Sequence, residues 1–315
     1  MSRARDHSID VLRGLALLTM VEANMAPYVL EAPHPMFLRA IGTFAAPTFV
    51  FLAGMMVGVS RRSDRVGHAL RRSALLLFVA GAIDVGCWHI APFVDFDVLY
   101  LIGLALPVAA LCLGQSPLLH SLAALSIVAV TPILRHRLGY GPLLADPNPW
   151  PLWRRWLVDG WFPVFPWLGV ALLGAWYGRI RATTTLRVEA AIGAALALSG
   201  VVALAMEPPV LVTRGGYSEL FYPPSIGVLS VAVGSCLVVL SLVPRLSTLL
   251  PLGWIETYGR ASLVVYVAHT VLIAFVFERF GPQPLLRFLG LYVCHLAVLW
   301  GVARSRVALR AHFSQ

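Results

Sequence analysis

The chain has 315 residues, of which 59% are hydrophobic and only 12% charged, with a mean hydropathy of +0.80. A soluble domain carries about twice that charged fraction. Apolar stretches of membrane-spanning length recur from end to end with no long polar block between them, which excludes an ordinary globular enzyme and predicts an all-α, polytopic membrane bundle. The helices leave little chain for anything else, so residues 1–315 read as a single integral-membrane domain.

The net charge of +9 comes from arginine alone, since the chain has no lysine. These arginines stand in short clusters between apolar spans, a pattern of membrane orientation rather than of nucleic-acid binding. The four cysteines, Cys87, Cys112, Cys236 and Cys294, each lie within an apolar span without metal-type spacing. No disulfide, zinc site or other metal is expected.

The pattern predicts about ten transmembrane helices, near residues 9–30, 36–60, 72–90, 97–114, 117–134, 161–178, 187–206, 223–243, 254–278 and 284–303. The first follows Arg3 and Arg5 but carries Arg13, Glu22 and Asn24, so it is read as a retained helix rather than a cleaved signal. With the N-terminus inside, the inner connections and tails hold fourteen arginines against seven in the outer connections. Both termini are therefore expected in the cytoplasm (N-in/C-in). The outer connections include a Trp- and Pro-rich stretch near 135–160, with Trp150, Trp153, Trp156 and Trp161, and the segment Arg214-Gly215-Gly216-Tyr217-Ser218-Glu219.

Ionisable groups inside spans are costly, so each is a functional candidate. Asp10 and Arg13, at i and i+3, share a helix face. An ion pair fixing the end of the helix is one reading, and a cationic mouth for an anionic cofactor is the other. Gly14 beside them lets a neighbouring helix approach closely. Glu22 and Asn24 lie in the outer half of the same helix, where an Asn hydrogen-bonds across helices. His34 sits in the tight turn Glu31-Ala32-Pro33-His34-Pro35, between two prolines that restrict it. Asp84 and His89, at i and i+5, do not face each other squarely, and a structural role suits them. Tyr258, Ser262, Tyr266 and His269 recur at spacings of four, four and three, one polar stripe on a continuous helix, next to a buried Arg260. Such a stripe lines a cavity or a helix contact, and we favour the cavity.

Together these motifs resemble the heparan-α-glucosaminide N-acetyltransferases and their bacterial relatives, among the wider transmembrane acyltransferases. The resemblance runs through Ile9-Asp10-Val11-Leu12-Arg13-Gly14-Leu15-Ala16 with Met20 and Asn24, then His34, then Pro47-Thr48-Phe49-Val50-Phe51-Leu52-Ala53-Gly54. It continues in Phe165-Pro166-Trp167-Leu168-Gly169 and in Gly259-Arg260-Ala261-Ser262-Leu263 with Tyr266 and His269. It implies transfer of an acetyl group from cytoplasmic acetyl-CoA to an amine or hydroxyl of an outer glycan-type or lipid-linked acceptor. Asp10, Arg13, Arg260, Ser262 and Tyr266 are then expected around the acetyl-CoA, with the Arg61–Arg72 cluster as further inner cations. Asn24, His34 and His269 are expected at the reacting end, with His34 as base or acyl acceptor, His269 as the runner-up base, and Asn24 or His269 as donor to the thioester oxygen. The expected setting is a bacterial cytoplasmic membrane, with a homodimer left open. A multi-pass transporter or flippase is the competing reading; against it, no pair of interrupted helices recurs in two matching halves.

Overall fold

A computed structural model of the chain describes residues 6–60, 63–138, 152–206, 213–214, 217–218 and 224–312, without the side chains of residues 213–218 and 311. In chain order its helices are α1 (His7–Val29), α2 (Met36–Gly42), α3 (Ala45–Val59), α4 (Arg65–Ile83), α5 (Val98–Cys112), α6 (Pro117–Leu138), α7 (Leu152–Arg154), α8 (Val164–Ile180), α9 (Leu186–Met206), α10 (Ile226–Leu246), α11 (Gly253–Arg260), α12 (Ser262–Phe275) and α13 (Leu285–His312). The two-residue strands β1 (Thr213–Arg214) and β2 (Tyr217–Ser218) pair antiparallel, with Thr213 opposite Ser218. Arg3, Arg5, Arg61, Arg62, Trp150, Gly215, Gly216 and Glu219 lie outside the described residues.

Helix occupies each of the ten positions expected from the apolar runs. Among the described residues six stretches are long and apolar enough to cross a membrane: Met36–Val59, Pro117–Leu138, Leu186–Met206, Ile226–Leu246, Ser262–Phe280 and Leu285–Arg310. Leu152–Asp159 with Val164–Thr183, bent by 52°, would make a seventh. The chain is thus an all-helical, multi-pass membrane protein. Two expected helices are broken. The stretch near 36–60 divides at Thr43 and Phe44, and the stretch near 254–278 divides at Ala261, whose φ of −108° and ψ of 16° leave the helical region.

The chain forms two compact units: Met1–Thr48 with Leu186–Tyr222 and Ser230–Gln315, and Phe49–Thr185 with Pro223–Leu229. In the second unit α3 and α8 approach backbone to backbone through Gly54 and Gly58 on one helix and Gly174 and Gly178 on the other. That four-residue spacing of small residues suits helices that pack inside lipid, where close van der Waals contact is the main attraction. The Phe165–Gly169 motif opens α8, with Trp167 fully buried. At the end of α4 the helix loosens into a π turn over Asp84–Trp88. There Tyr100 donates to Asp84 at 2.5 Å and the Phe93 N–H donates to the Tyr100 oxygen at 3.1 Å. Asp84 thus holds a loop in place, while His89 is exposed with φ 56°.

In the first unit α1 is the hub, packing on α2, α11, α12 and α13. Asp6 caps it, its carboxylate accepting from Ser8 N–H at 3.0 Å. The tightest contact is with α11. A Cβ on Gly259 would run into the Asp10 carbonyl oxygen, and one on Gly14 into the Ile255 carbonyl. Backbone faces backbone on both sides, so neither helix can yield by turning a side chain away. Tyr258 then donates to the Leu296 carbonyl at 2.6 Å and Tyr292 to the Leu18 carbonyl at 3.0 Å, tying α11 and α1 to α13. We expect Gly259→Val to lower stability by about 1–3 kcal/mol or more, the cost of overpacking a filled contact. Thermal unfolding in detergent measures it, and a midpoint unchanged from the parent would show that this crossing tolerates a side chain.

Candidate functional site

Asp10, Arg13, Asn24, His34, Arg260, Ser262, Tyr266 and His269 lie in the first unit, whereas Arg65, Arg71 and Arg72 of the expected inner cluster lie in the second. Asp10 is 3% exposed, and Arg13 donates to its carboxylate at 3.1 Å across one turn of α1. The same guanidinium nitrogen reaches the Gly259 carbonyl at 3.5 Å, which the glycine contact brings within range. Both readings of the pair therefore have a footing: it fixes this end of α1 to α11, and it leaves a partly buried cation there.

Eleven residues along α1 from Arg13 stands Asn24. Three turns of an α-helix take 10.8 residues, so the two side chains leave the same face, about 16 Å apart along the axis. Asn24 itself is exposed, but its Nδ2 lies 3.0 Å from His269 Nε2 on α12. His269 is wholly buried, and its Nδ1 lies 2.6 Å from the Tyr266 carbonyl. A carbonyl only accepts, so Nδ1 carries the proton and Nε2 accepts from the Asn24 amide. The imidazole is held from both nitrogens in one tautomer, and it fixes the plane of the Asn24 amide. The Asn24 amide keeps a second N–H beyond this bond.

His34 is half-buried in the turn after α1, its Nε2 donating to the Leu30 carbonyl at 3.1 Å. The neutral ring therefore bears its lone pair on Nδ1. The turn is tied down by two backbone bonds to the segment before α13, Glu31 N–H to Gln283 O at 3.0 Å and Gln283 N–H to Val29 O at 2.8 Å.

The late polar stripe departs from expectation. Because the helix breaks at Ala261, Tyr258 belongs to α11 while Ser262, Tyr266 and His269 belong to α12. Tyr258 is committed to a helix contact through its hydroxyl, and Tyr266 packs edge-on to His269 with ring centroids 5.2 Å apart. Ser262 is half-buried at the start of α12, and Arg260 is exposed, not buried as the sequence suggested. A side chain at the end of a short helix, beside a break, is not enclosed as one in a continuous span would be.

Two further polar groups complete the unit. Glu22, 2% exposed, has no hydrogen-bond partner on either carboxylate oxygen among the described residues. His295 on α13 is wholly buried with neither ring nitrogen bonded among the described residues, stacked on Phe277 at 4.4 Å and 6.4 Å from the His269 ring. Sequence reasoning marked Glu22 but overlooked His295, whose only signal was an imidazole in an apolar run. No group of three or more His, Cys, Asp or Glu side chains suited to a metal occurs among the described residues.

This is a multi-pass helical membrane protein whose first unit carries histidine, amide and carboxylate groups on helices from both ends of the chain. Residues 5–206 match the family described as heparan-alpha-glucosaminide N-acetyltransferase, catalytic, and the chain belongs to that family of membrane acetyltransferases. A search among curated proteins found no match. The matched span contains Asp10, Arg13, Asn24 and His34 and ends before Arg260, Ser262, Tyr266 and His269.

Proposed function

We propose that this protein moves an acetyl group from cytoplasmic acetyl-CoA to an amine or hydroxyl of a glycan-type acceptor on the other side of the membrane. The observation that carries the reading is the Asn24–His269 bond, in a chain of this acetyltransferase family. It presents an amide N–H, fixed in orientation, on the helix face that also bears Arg13. The arginine asymmetry supports both termini inside, with about ten crossings, and we take residues 1–315 as one working unit.

In this scheme Arg13, set by Asp10, grips the coenzyme A phosphates, and Arg260, Ser262 and Tyr266 add contacts from α11 and α12. Arginine suits that task because its planar fork matches phosphate oxygens. An extended pantetheine arm spans the distance from Arg13 to Asn24. The second Asn24 N–H donates to the thioester oxygen as negative charge develops there. His34 removes the proton of the attacking acceptor, an imidazole being suited to that near neutral pH. Its alternative role, as a transient acetyl carrier, uses the same Nδ1 lone pair. His269 is a positioning residue: its Nε2 lone pair is taken by Asn24 and its Nδ1 proton by Tyr266, so it is poorly placed to act as base.

Arg13→Ala should weaken acetyl-CoA binding by about tenfold or more, since a hydrogen bond to a charged group contributes about 1.5–3 kcal/mol. Arg260→Ala, removing an exposed cation, should weaken it less. Calorimetric affinities near wild type for both variants, with the fold intact, would remove these arginines from the donor site.

The base is tested by single-turnover transfer. His34→Ala should lose about 100- to 10,000-fold in rate, the usual worth of a general base, with acetyl-CoA affinity kept. His269→Ala should be less severe, because Asn24 remains. A His34→Ala protein with near-normal rates beside a dead His269→Ala would transfer the role of base to α12.

A further inference from the structure

The connection from α12 to α13 reads Gly281-Pro282-Gln283-Pro284, and it forms a parallel bridge to the end of α1, Leu30 with Gln283. Proline has no N–H, so among residues 282–284 the Gln283 amide is the one backbone donor to the Val29 carbonyl, which it meets at 2.8 Å. A slip of one residue would set a proline nitrogen against that carbonyl. The residue before a proline is also held to extended backbone, which applies to Gly281 and to Gln283. The sequence therefore allows this bridge in one register.

The connector is fixed on its α12 side as well. Phe277 is buried and stacked on His295 of α13 with ring centroids 4.4 Å apart, and the Gln283 side chain turns back to donate to the Phe280 carbonyl at 2.7 Å. Gly281 between them has φ 61° and ψ −175°, a conformation open in practice to glycine alone. A Cβ there would meet nothing within 4 Å, so the need for glycine comes from the backbone and not from space.

The second bond of the bridge reaches the site. Glu31 N–H donates to the Gln283 carbonyl at 3.0 Å. That N–H belongs to the same peptide unit as the Leu30 carbonyl, which accepts from His34 Nε2 at 3.1 Å. A trans peptide is planar, and its N–H and C=O point opposite ways. Whatever turns the Glu31 N–H away from Gln283 therefore turns the Leu30 carbonyl away from the imidazole. One peptide plane passes the position of the connector to the ring of His34, and hydrogen bonds in such a line strengthen one another.

We propose that Gln283, placed by Gly281 and its two flanking prolines, is the positioning residue for His34. Through the Leu30–Glu31 peptide it holds the imidazole in the tautomer with the proton on Nε2, so that Nδ1 is the nitrogen offered to the acceptor's proton. The use made of Nδ1 rests on the acetyl-transfer reading, whereas the placement of the ring does not.

The test uses two changes that reach the bridge from opposite sides. E31P removes the N–H that meets Gln283, and Leu30, at φ −103° and ψ 131°, already has the backbone that a residue before proline adopts. E31A keeps that N–H and is its reference. G281A strains the connector without altering the turn's own sequence, and its reference is the wild type. Nitrogen NMR of the reconstituted, histidine-labelled protein, with the His34 signals assigned by their loss in H34A, should show one tautomer in both references and a mixture in E31P and G281A. An unchanged tautomer in both variants overturns the proposal whatever the activity. Single-turnover transfer should slow about tenfold in each variant at unchanged acetyl-CoA affinity, the usual worth of one neutral hydrogen bond. Added to H34A, neither change should slow the reaction further, because each acts through that ring. A further tenfold loss in the H34A background would mark a general support of the fold and overturn the positioning role. A tautomer released by both changes in a protein that transfers no acetyl group to any acceptor would defeat the acetyl-transfer reading and leave the placement of His34 standing.

Discussion

A polar side chain carried into the apolar part of a helix bundle must find its partner on another helix or on its own backbone, because little water competes for it there. The Asn24–His269 bond meets that demand across 245 residues of sequence. It joins the first long helix to the penultimate one, sets the tautomer of the imidazole and the plane of the amide, and so fixes where an N–H points. The glycine crossing of α1 and α11 makes it reachable, since it brings the late helices against α1 at the distance of backbone contact. Asp10 and Arg13 stand at one end of that crossing, and the Asn24 amide stands three turns along on the same face.

The helices were legible because lipid-length apolar runs are long and redundant: no single residue decides them. The breaks were less so. Ala261 lies between Arg260 and Ser262, with neither a proline nor a glycine at the break itself, and the break follows directly on the stretch of α11 that packs backbone to backbone on α1. The polar stripe read from spacing thus falls on two helices, and Tyr258 uses its hydroxyl to hold α13 instead of facing a ligand. Arg260 reads as buried in the sequence because its neighbours are apolar, but exposure is set by what packs alongside. His295 is inconspicuous in the sequence for the opposite reason: one imidazole in an apolar run becomes noticeable only when its ring is found beside His269 with both nitrogens unbonded among the described residues.

The family match and the geometry carry different parts of the account. The match covers residues 5–206 and so includes Asp10, Arg13, Asn24 and His34. The late residues enter through contact: Gly259 through the crossing with α1, His269 through its bond to Asn24. Arg13 and Asn24 sharing a face of one helix gives the proposed donor a track to lie along, and the turn that bears His34 is clamped at the end of it by Gln283. Each of these placements is a consequence of helix geometry or of a named hydrogen bond.

The central claim is that these groups are arranged for acetyl transfer to a glycan-type acceptor. The most direct measurement is incubation of the purified, reconstituted protein with radiolabelled acetyl-CoA and a panel of amino- and hydroxyl-bearing glycans. The account predicts label on at least one acceptor, lost in His34→Ala. Intact acetyl-CoA with no label on any acceptor, from protein shown to be folded, would contradict it.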